Sequence, residues 1–280
     1  MREAELVLKS SLLNFRDKTA VITGAGSGIG RALAQALASR GCHLALADIN
    51  QENLAATAVL VAASGIRVSI HELDVASREL VADFPNEVIR HHSAIDLLFN
   101  NAGVAVRGRF LETTEADFDW LFEINFHGVV RMTRAFLPML LTRSDAHIVN
   151  IASLFSIIAP AGQTHYSASK FAVRGFSDAL RHELKGTTVG VSTVCPGGVA
   201  TSIASSARFS PILSKETISQ QLEKSRRLLR KPPAKAAEII LAGVERRRPR
   251  VMVGADARFG CWLERLLPVT YGSLLKSFEL

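Results

Sequence analysis

Cysteine is scarce in this chain: Cys42, Cys195 and Cys261 are the only three among 280 residues, and no two share a C-x-x-C spacing. Thiols so far apart argue for a reducing compartment and against a zinc site. The eight histidines show no ligand spacing, and the adjacent His91 and His92 read as a solvated helix end. No metal is expected. No apolar run reaches the ~18 residues of a membrane-spanning helix, and no signal-peptide pattern opens the chain, so a cytoplasmic protein is expected. The net charge of +7 is concentrated late, in Arg226-Arg227, Arg230-Lys231 and Arg246-Arg247-Arg248. No aromatic platform or reading helix accompanies these clusters, which sets nucleic acid aside as a partner. They read as solvated surface, with acidic lipid or an acyl-CoA-like substrate as the second reading.

What the chain has is hydrophobic content of 48% over a length ample for one large core. Strand and helix patterns alternate throughout. Strands are expected near 18–23, 43–48, 67–72, 95–99, 146–151, 188–194 and 250–253. Helices are expected over 28–40, 51–63, 77–92, 114–142, 163–185 and 233–246. Thr114 to Asp117 reads as a capping box opening the fourth of these. Such alternation predicts an α/β fold: a doubly wound, mostly parallel sheet of about seven strands with helices on both faces, in a single Rossmann-type domain. The expected organisation is an extension over 1–14, the domain over 15–255 and an amphipathic tail over 256–280.

The first strand pattern, Lys18 to Ile22, runs into Thr23-Gly24-Ala25-Gly26-Ser27-Gly28-Ile29-Gly30 and then into a helical pattern ending at Gly41. Strand, glycine turn and helix in that order place a pyrophosphate against backbone N–H groups at a helix N-terminus. The second strand pattern ends in Asp48, eighteen positions after Gly30. A carboxylate there accepts hydrogen bonds from both ribose hydroxyls of an adenosine and repels a 2′-phosphate; Ile49 brings no cation to compensate. NAD is therefore expected over NADP. The competing reading is an aspartate capping the helix that starts near Asn50.

Tyr166 follows Ser153 by thirteen positions, and Lys170 lies four beyond Tyr166. On a helix, 166 and 170 project from one face a turn apart. An ammonium near a phenol favours the phenolate, which fits the tyrosine for acid–base work. Lowering a phenol by about three units from ~10 needs roughly 4 kcal/mol. One cation together with an oxidised nicotinamide is expected to supply it.

Taken together these residues resemble the short-chain dehydrogenase/reductase family over roughly 15–255. The turn Thr23-Gly24-x-x-x-Gly28-x-Gly30 is similar to that family's cofactor turn, in which Ser27 and Ile29 are included. Leu73-Asp74-Val75 resembles the stretch that meets the adenine, and Asn100-Asn101-Ala102-Gly103 the segment passing under the cofactor. Pro196-Gly197-Gly198-Val199-Ala200-Thr201 resembles the segment flanking the nicotinamide carboxamide. The resemblance implies a tetrad of Asn125, Ser153, Tyr166 and Lys170. It further implies cofactor contacts at Tyr166, Lys170, Asp48, Val75, Asn101, Ala102, Gly103, Pro196, Gly197, Val199 and Thr201.

The implied activity is hydride transfer between NAD(H) and a secondary alcohol or ketone. The alternative is a catalytically silent dinucleotide-binding regulator or scaffold, which would be expected to have lost Tyr166 or Lys170. Three stretches are expected to decide the substrate: Val104 to Phe110, Leu154 to Thr164, and a loop and helix from Ser202 to about Lys231. Phe155, Ile157, Ile158 and Pro160 suggest an apolar lining in the second, or else ordinary helix packing. In the tail, Phe259, Trp262, Leu263, Leu266 and Leu267 form one helical stripe that Pro268 would end. Its cover is expected to be protein, in a homodimer or homotetramer; a membrane surface, helped by Tyr271, Leu274, Leu275 and Phe278, is the second reading.

Overall fold

The computed structural model describes residues 12–274. Residues 1–11 of the N-terminal extension, and Leu275 and Phe278 of the tail, lie outside that range. Nine strands occur among the described residues: β1 Thr19–Thr23, β2 His43–Asp48, β3 Val68–Glu72, β4 Leu97–Asn100, β5 Val106–Arg107, β6 Ala146–Ile151, β7 Val189–Pro196, β8 Arg208–Phe209 and β9 Arg250–Val253. Seven of them form one parallel sheet in the order β3-β2-β1-β4-β6-β7-β9. The order reverses between β1 and β4, and a crevice opens outside the strand ends at such a point.

Both faces of the sheet are buried, so its strands are apolar at successive positions rather than alternating with polar ones. Ala20, Ile22, Leu44, Leu46, Leu97 and Phe99 join one core, while Val21, Ala45, Ala47 and Leu98 join the other. The first core is closed by α1 (Gly28–Ala38), α2 (Gln51–Val61) and α8 (Pro233–Glu245). The second is closed by α3 (Arg78–His91), α5 (Gly128–Leu141) and α6 (Thr164–Glu183). This is the doubly wound sheet that the sequence predicts, with each expected strand within two residues at either end.

Three local expectations change, and one, the loop and helix after Ser202, is met. The helix expected over 114–142 is α4 (Glu115–Phe122), one π-helical turn at Glu123–His127, and α5. Thr114 does cap it, accepting from the Asp117 N–H at 3.1 Å. The stretch after Ser202 is spanned by α7 (Lys215–Leu228) and a two-residue pairing of β5 with β8. His92 is not solvated: it is buried, with Nε2 2.9 Å from the Ser69 hydroxyl. Finally, the tail helix α9 (Ala255–Leu266) buries Ala257, Gly260 and Leu263, and leaves Phe259, Trp262 and Leu266 more than half exposed. A side chain at Gly260 would strike Leu154, so only the small-residue face can approach the body. The aromatic stripe predicted from the tail therefore points away from this chain, apart from Leu263.

Candidate active site

The site is assembled at the strand ends around the topological reversal. The Thr23 hydroxyl, at the end of β1, accepts the N–H groups of Asn101 and Ala102, at 3.0 and 3.1 Å. Asn101 returns its amide to the carbonyls of Thr23 and Gly24. This exchange fixes the glycine turn against the loop after β4. Gly24 stands at φ +65°, and a Cβ there would meet the Ala102 backbone at 2.9 Å, so only glycine suits both the conformation and the contact. Gly30 sits beneath the turn, where a side chain would overlap the Gly24 carbonyl.

The N-terminus of α1 opens onto the same place. Its N-cap Ser27 makes no side-chain capping bond, and the first turn carries no acidic residue. A helix start without a side-chain cap and without an acidic residue in its first turn suits an anion.

Asp48 closes the far side. Its Oδ2 accepts the Gly26 N–H at 2.8 Å and its Oδ1 the Asn50 N–H at 2.9 Å. The cap of α2 is Asn50 itself, which accepts from Asn53, so Asp48 holds the turn and the helix start together instead of capping. The same corner contains a cation missed from the sequence. Arg31 donates to the Gly26 carbonyl, to the Asn53 carbonyl at 3.2 Å and to the Thr57 hydroxyl at 3.0 Å.

Ser153, Tyr166 and Lys170 meet on the opposite wall. Ser153 Oγ accepts the Phe155 N–H at 3.1 Å, which leaves its own proton free to donate. The Lys170 ammonium lies 5.7 Å from the centre of the Tyr166 ring and donates to the Ile151 carbonyl at 3.1 Å. Burial pushes Lys170 down to about 8. Burial also pushes the Tyr166 phenol up, opposed by a hydrogen bond with Ser153. The expected depression of the tyrosine by the lysine is therefore not a property of the protein alone: desolvation outweighs an ammonium at that distance.

Asn125 lies behind this wall on the π-helical turn, fully buried. It accepts the Val104 N–H at 2.8 Å and donates to the Val104 carbonyl at 3.0 Å and to Ser169 Oγ at 3.2 Å. The extra residue of a π turn re-aims one side chain without ending the helix. Here that side chain pins the extended segment leading to β5.

The walls enclose a cavity of about 620 Å³, within the range of small-molecule sites. Every residue singled out from the sequence for catalysis or cofactor contact lines it, except Gly30 and Asn125, which stand just behind. All three stretches expected to decide the substrate contribute. In the second, Leu154 and Phe155 reach the cavity, whereas Ile157 and Ile158 are packed into the core. Gln163, Arg107 and Asp256 were not distinguished from the sequence. Asp256, in the first turn of α9, accepts the Gly198 N–H and so braces the loop after β7. No spacing rule could have paired those two positions.

With the geometry in hand, comparison with known proteins is decisive. A sequence model of the family described as short chain dehydrogenase matches residues 18–210. The chain belongs to the short-chain dehydrogenase family. The oxidoreductase SadH of Mycobacterium tuberculosis (strain ATCC 25618 / H37Rv) is 40% identical over 264 residues, covering 94% of this chain and 95% of that protein. A short-chain dehydrogenase/reductase from Burkholderia phymatum, solved with NAD, superposes with a TM-score of 0.85 at 32% identity over 92% of this chain and 96% of that one. An alcohol dehydrogenase from Thermococcus sibiricus, solved with 5-hydroxy-NADP, gives 0.72 at 28% identity over 84% of this chain and 95% of that one. This short-chain dehydrogenase is thus an oxidoreductase by family. Its uncapped helix N-terminus and its glycine turn fit a dinucleotide.

Proposed function

We propose that the protein is an NAD-dependent dehydrogenase interconverting a secondary alcohol and a ketone on a hydrophobic substrate. The observation that carries this reading is the meeting of Ser153, Tyr166 and Lys170 on one wall of the cavity, facing the glycine turn and Asp48 on the other. A bound nicotinamide supplies the hydride acceptor or donor.

The chain's own groups handle the proton. Ser153, its oxygen held by the Phe155 N–H, donates to the substrate oxygen and steadies charge that develops there. Tyr166 takes the hydroxyl proton in oxidation and returns it in reduction. Lys170, depressed to about 8, binds a ribose hydroxyl and exchanges protons near neutral pH. Asn125 positions Val104 and with it the floor of the site; a water relay from Lys170 past Asn125 is part of the proposal.

Preference for NAD follows from Asp48, which lines the cavity with Ile49 beside it. Arg31 does not offset it, because its guanidinium is turned onto Gly26, Asn53 and Thr57. Leu154, Phe155, Val104 and Leu228 support an apolar substrate. A homo-oligomer that covers the exposed Phe259, Trp262 and Leu266 is part of the same reading, as is a cytoplasmic location.

The test is turnover of a panel of secondary alcohols with NAD and NADP, followed at the nicotinamide absorbance. Tyr166→Phe is expected to lower kcat by about a thousandfold or more while cofactor binding persists. Near-normal turnover in that variant sinks the mechanism, and no turnover of any alcohol by wild type would favour the silent regulator.

A further inference from the structure

Of the two cations that line the cavity, Lys170 and Arg107, the dehydrogenase reading leaves Arg107 unused. It sits on β5, three residues beyond the Val104 that Asn125 holds, and it is 7% exposed. Among the described residues its guanidinium makes no ion pair and no hydrogen bond, and Nη1 is buried without a partner. The guanidinium lies over the Phe209 ring, 5.9 Å from its centre across the β5–β8 pairing. Two carboxylates in the segment that follows β5 are already engaged. Asp117 pairs with Arg208 at 3.3 Å, and Glu112 accepts the Arg109 N–H at 2.8 Å. Burial pulls Arg107 below its usual pKa, and no carboxylate counters that pull.

A buried cation without a counter-charge is costly, and a cation–π contact with phenylalanine offsets only a small part of the cost. Arginine cannot escape by shedding its proton, as lysine can. Such a group is tolerated where a ligand completes it, and Arg107 borders the cavity that receives the substrate. The guanidinium fork matches a carboxylate in a bidentate pair, and the same cavity is lined in part by the apolar side chains of Leu154, Phe155 and Leu228.

We propose that Arg107 seats a carboxylate on the substrate, so that the favoured substrates are amphiphilic hydroxy- and oxo-carboxylic acids. The proposal rests on the dehydrogenase reading for the reacting end of the molecule. In oxidation the carbinol carbon gives up hydride to the nicotinamide and its hydroxyl proton to Tyr166, leaving C=O; the carboxylate is unchanged and serves only to anchor. Arg107 is thus a specificity-determining residue.

The test compares two probes of equal chain and nearly equal shape, octanoate and octanamide, titrated calorimetrically into the wild-type protein with NAD bound. Octanoate is expected to bind at least tenfold tighter, a ratio that falls to about one in Arg107→Met and is partly restored in Arg107→Lys. The wild-type ratio needs no variant, so misfolding of a substitution leaves the measurement intact. Octanoate binding no tighter than octanamide, or not binding at all, overturns the proposal. Turnover of 7-hydroxyoctanoate against 2-octanol then separates the two readings. A preference for the acid supports both. Equal kcat/KM for the two alcohols overturns the carboxylate seat and leaves the dehydrogenase standing. No oxidation of either, with octanoate still preferred in binding, overturns the dehydrogenase reading and leaves the seat.

Discussion

At the glycine-turn end of the cavity the contacts join side chains to backbone at the ends of β1, β2 and β4, within about the first hundred residues. At the opposite end, side chains from β5, the loop after β6, α7 and the first turn of α9 converge from positions as far apart as Val104 and Asp256. The first end is a set of N–H groups and the carboxylates of Asp48 and Asp74, with the turn held by the exchange between Thr23 and Asn101. It suits a ligand part that never changes. The second is built of pieces that can vary independently, and it is where one unpartnered arginine and several apolar side chains set what enters.

That contrast can be broken at either end. The largest effect is expected at Asp48. If cofactor choice resides in one local carboxylate, Asp48→Ser should shift the NAD/NADP ratio of kcat/KM about tenfold to a hundredfold toward NADP. The KM for the alcohol should stay nearly constant. Steady-state kinetics with both cofactors measures this, and a wild-type enzyme that prefers NADP would reverse the assignment of the corner.

The substrate end should instead depend on distant parts, and α9 tests that. Trp262→Glu, on the exposed face, is expected to lower the oligomer mass seen by light scattering, as is deletion of 257–280. The deletion should additionally weaken substrate binding, because it releases Gly198 from the upstream Asp256 brace only indirectly, through loss of the α9 body. A truncated protein that keeps its mass but loses liposome binding shown by the full chain would make the face a membrane contact.

The smallest effect belongs to neither end. His147 is buried in β6, and its Nε2 lies 2.8 Å from Ser192 Oγ. Ser192 spends its own proton on the Arg248 carbonyl, so Nε2 is the donor and the bare Nδ1 has no partner. Burial pushes the imidazole down to about 4. Between an unfolded value near ~6.5 and that folded value, the unfolded chain takes up a proton that the folded one refuses, so stability falls as pH drops through this window. The full cost is on the order of 3 kcal/mol. His147→Gln should flatten the fall in Tm between about pH 6.5 and pH 4. A residual slope is expected from His92, which burial also pushes down to about 4. An unchanged slope in the variant would place the acid sensitivity elsewhere.

Much of the nucleotide end was legible in the sequence because it is local. The spacing of Gly24, Gly28 and Gly30 is set by one tight turn into one helix, and Tyr166 and Lys170 share a face because a helix turn is 3.6 residues. Strand positions were equally readable, since a sheet buried on both faces needs unbroken apolar runs such as Leu44 to Ala47. The break in the long helix at Asn125 was not readable. A π turn is stabilised by what its side chain finds, here the backbone of Val104, and not by any local preference.

By itself, then, the sequence determined the order of strands and helices and the glycine turn into the first helix, because each follows from backbone geometry over a few positions; the tetrad positions came instead from the family resemblance. Only the tertiary structure decided which groups lack partners and which faces find cover. Arg107 has no counter-charge among the described residues, while Asp117 and Glu112 meet other donors. His92 is buried because Ser69 of β3 meets it. On α9 the small face won over the aromatic one because Leu154 lies too close to admit a side chain at Gly260. Each outcome depends on what stands opposite in space, and no spacing along the chain encodes that.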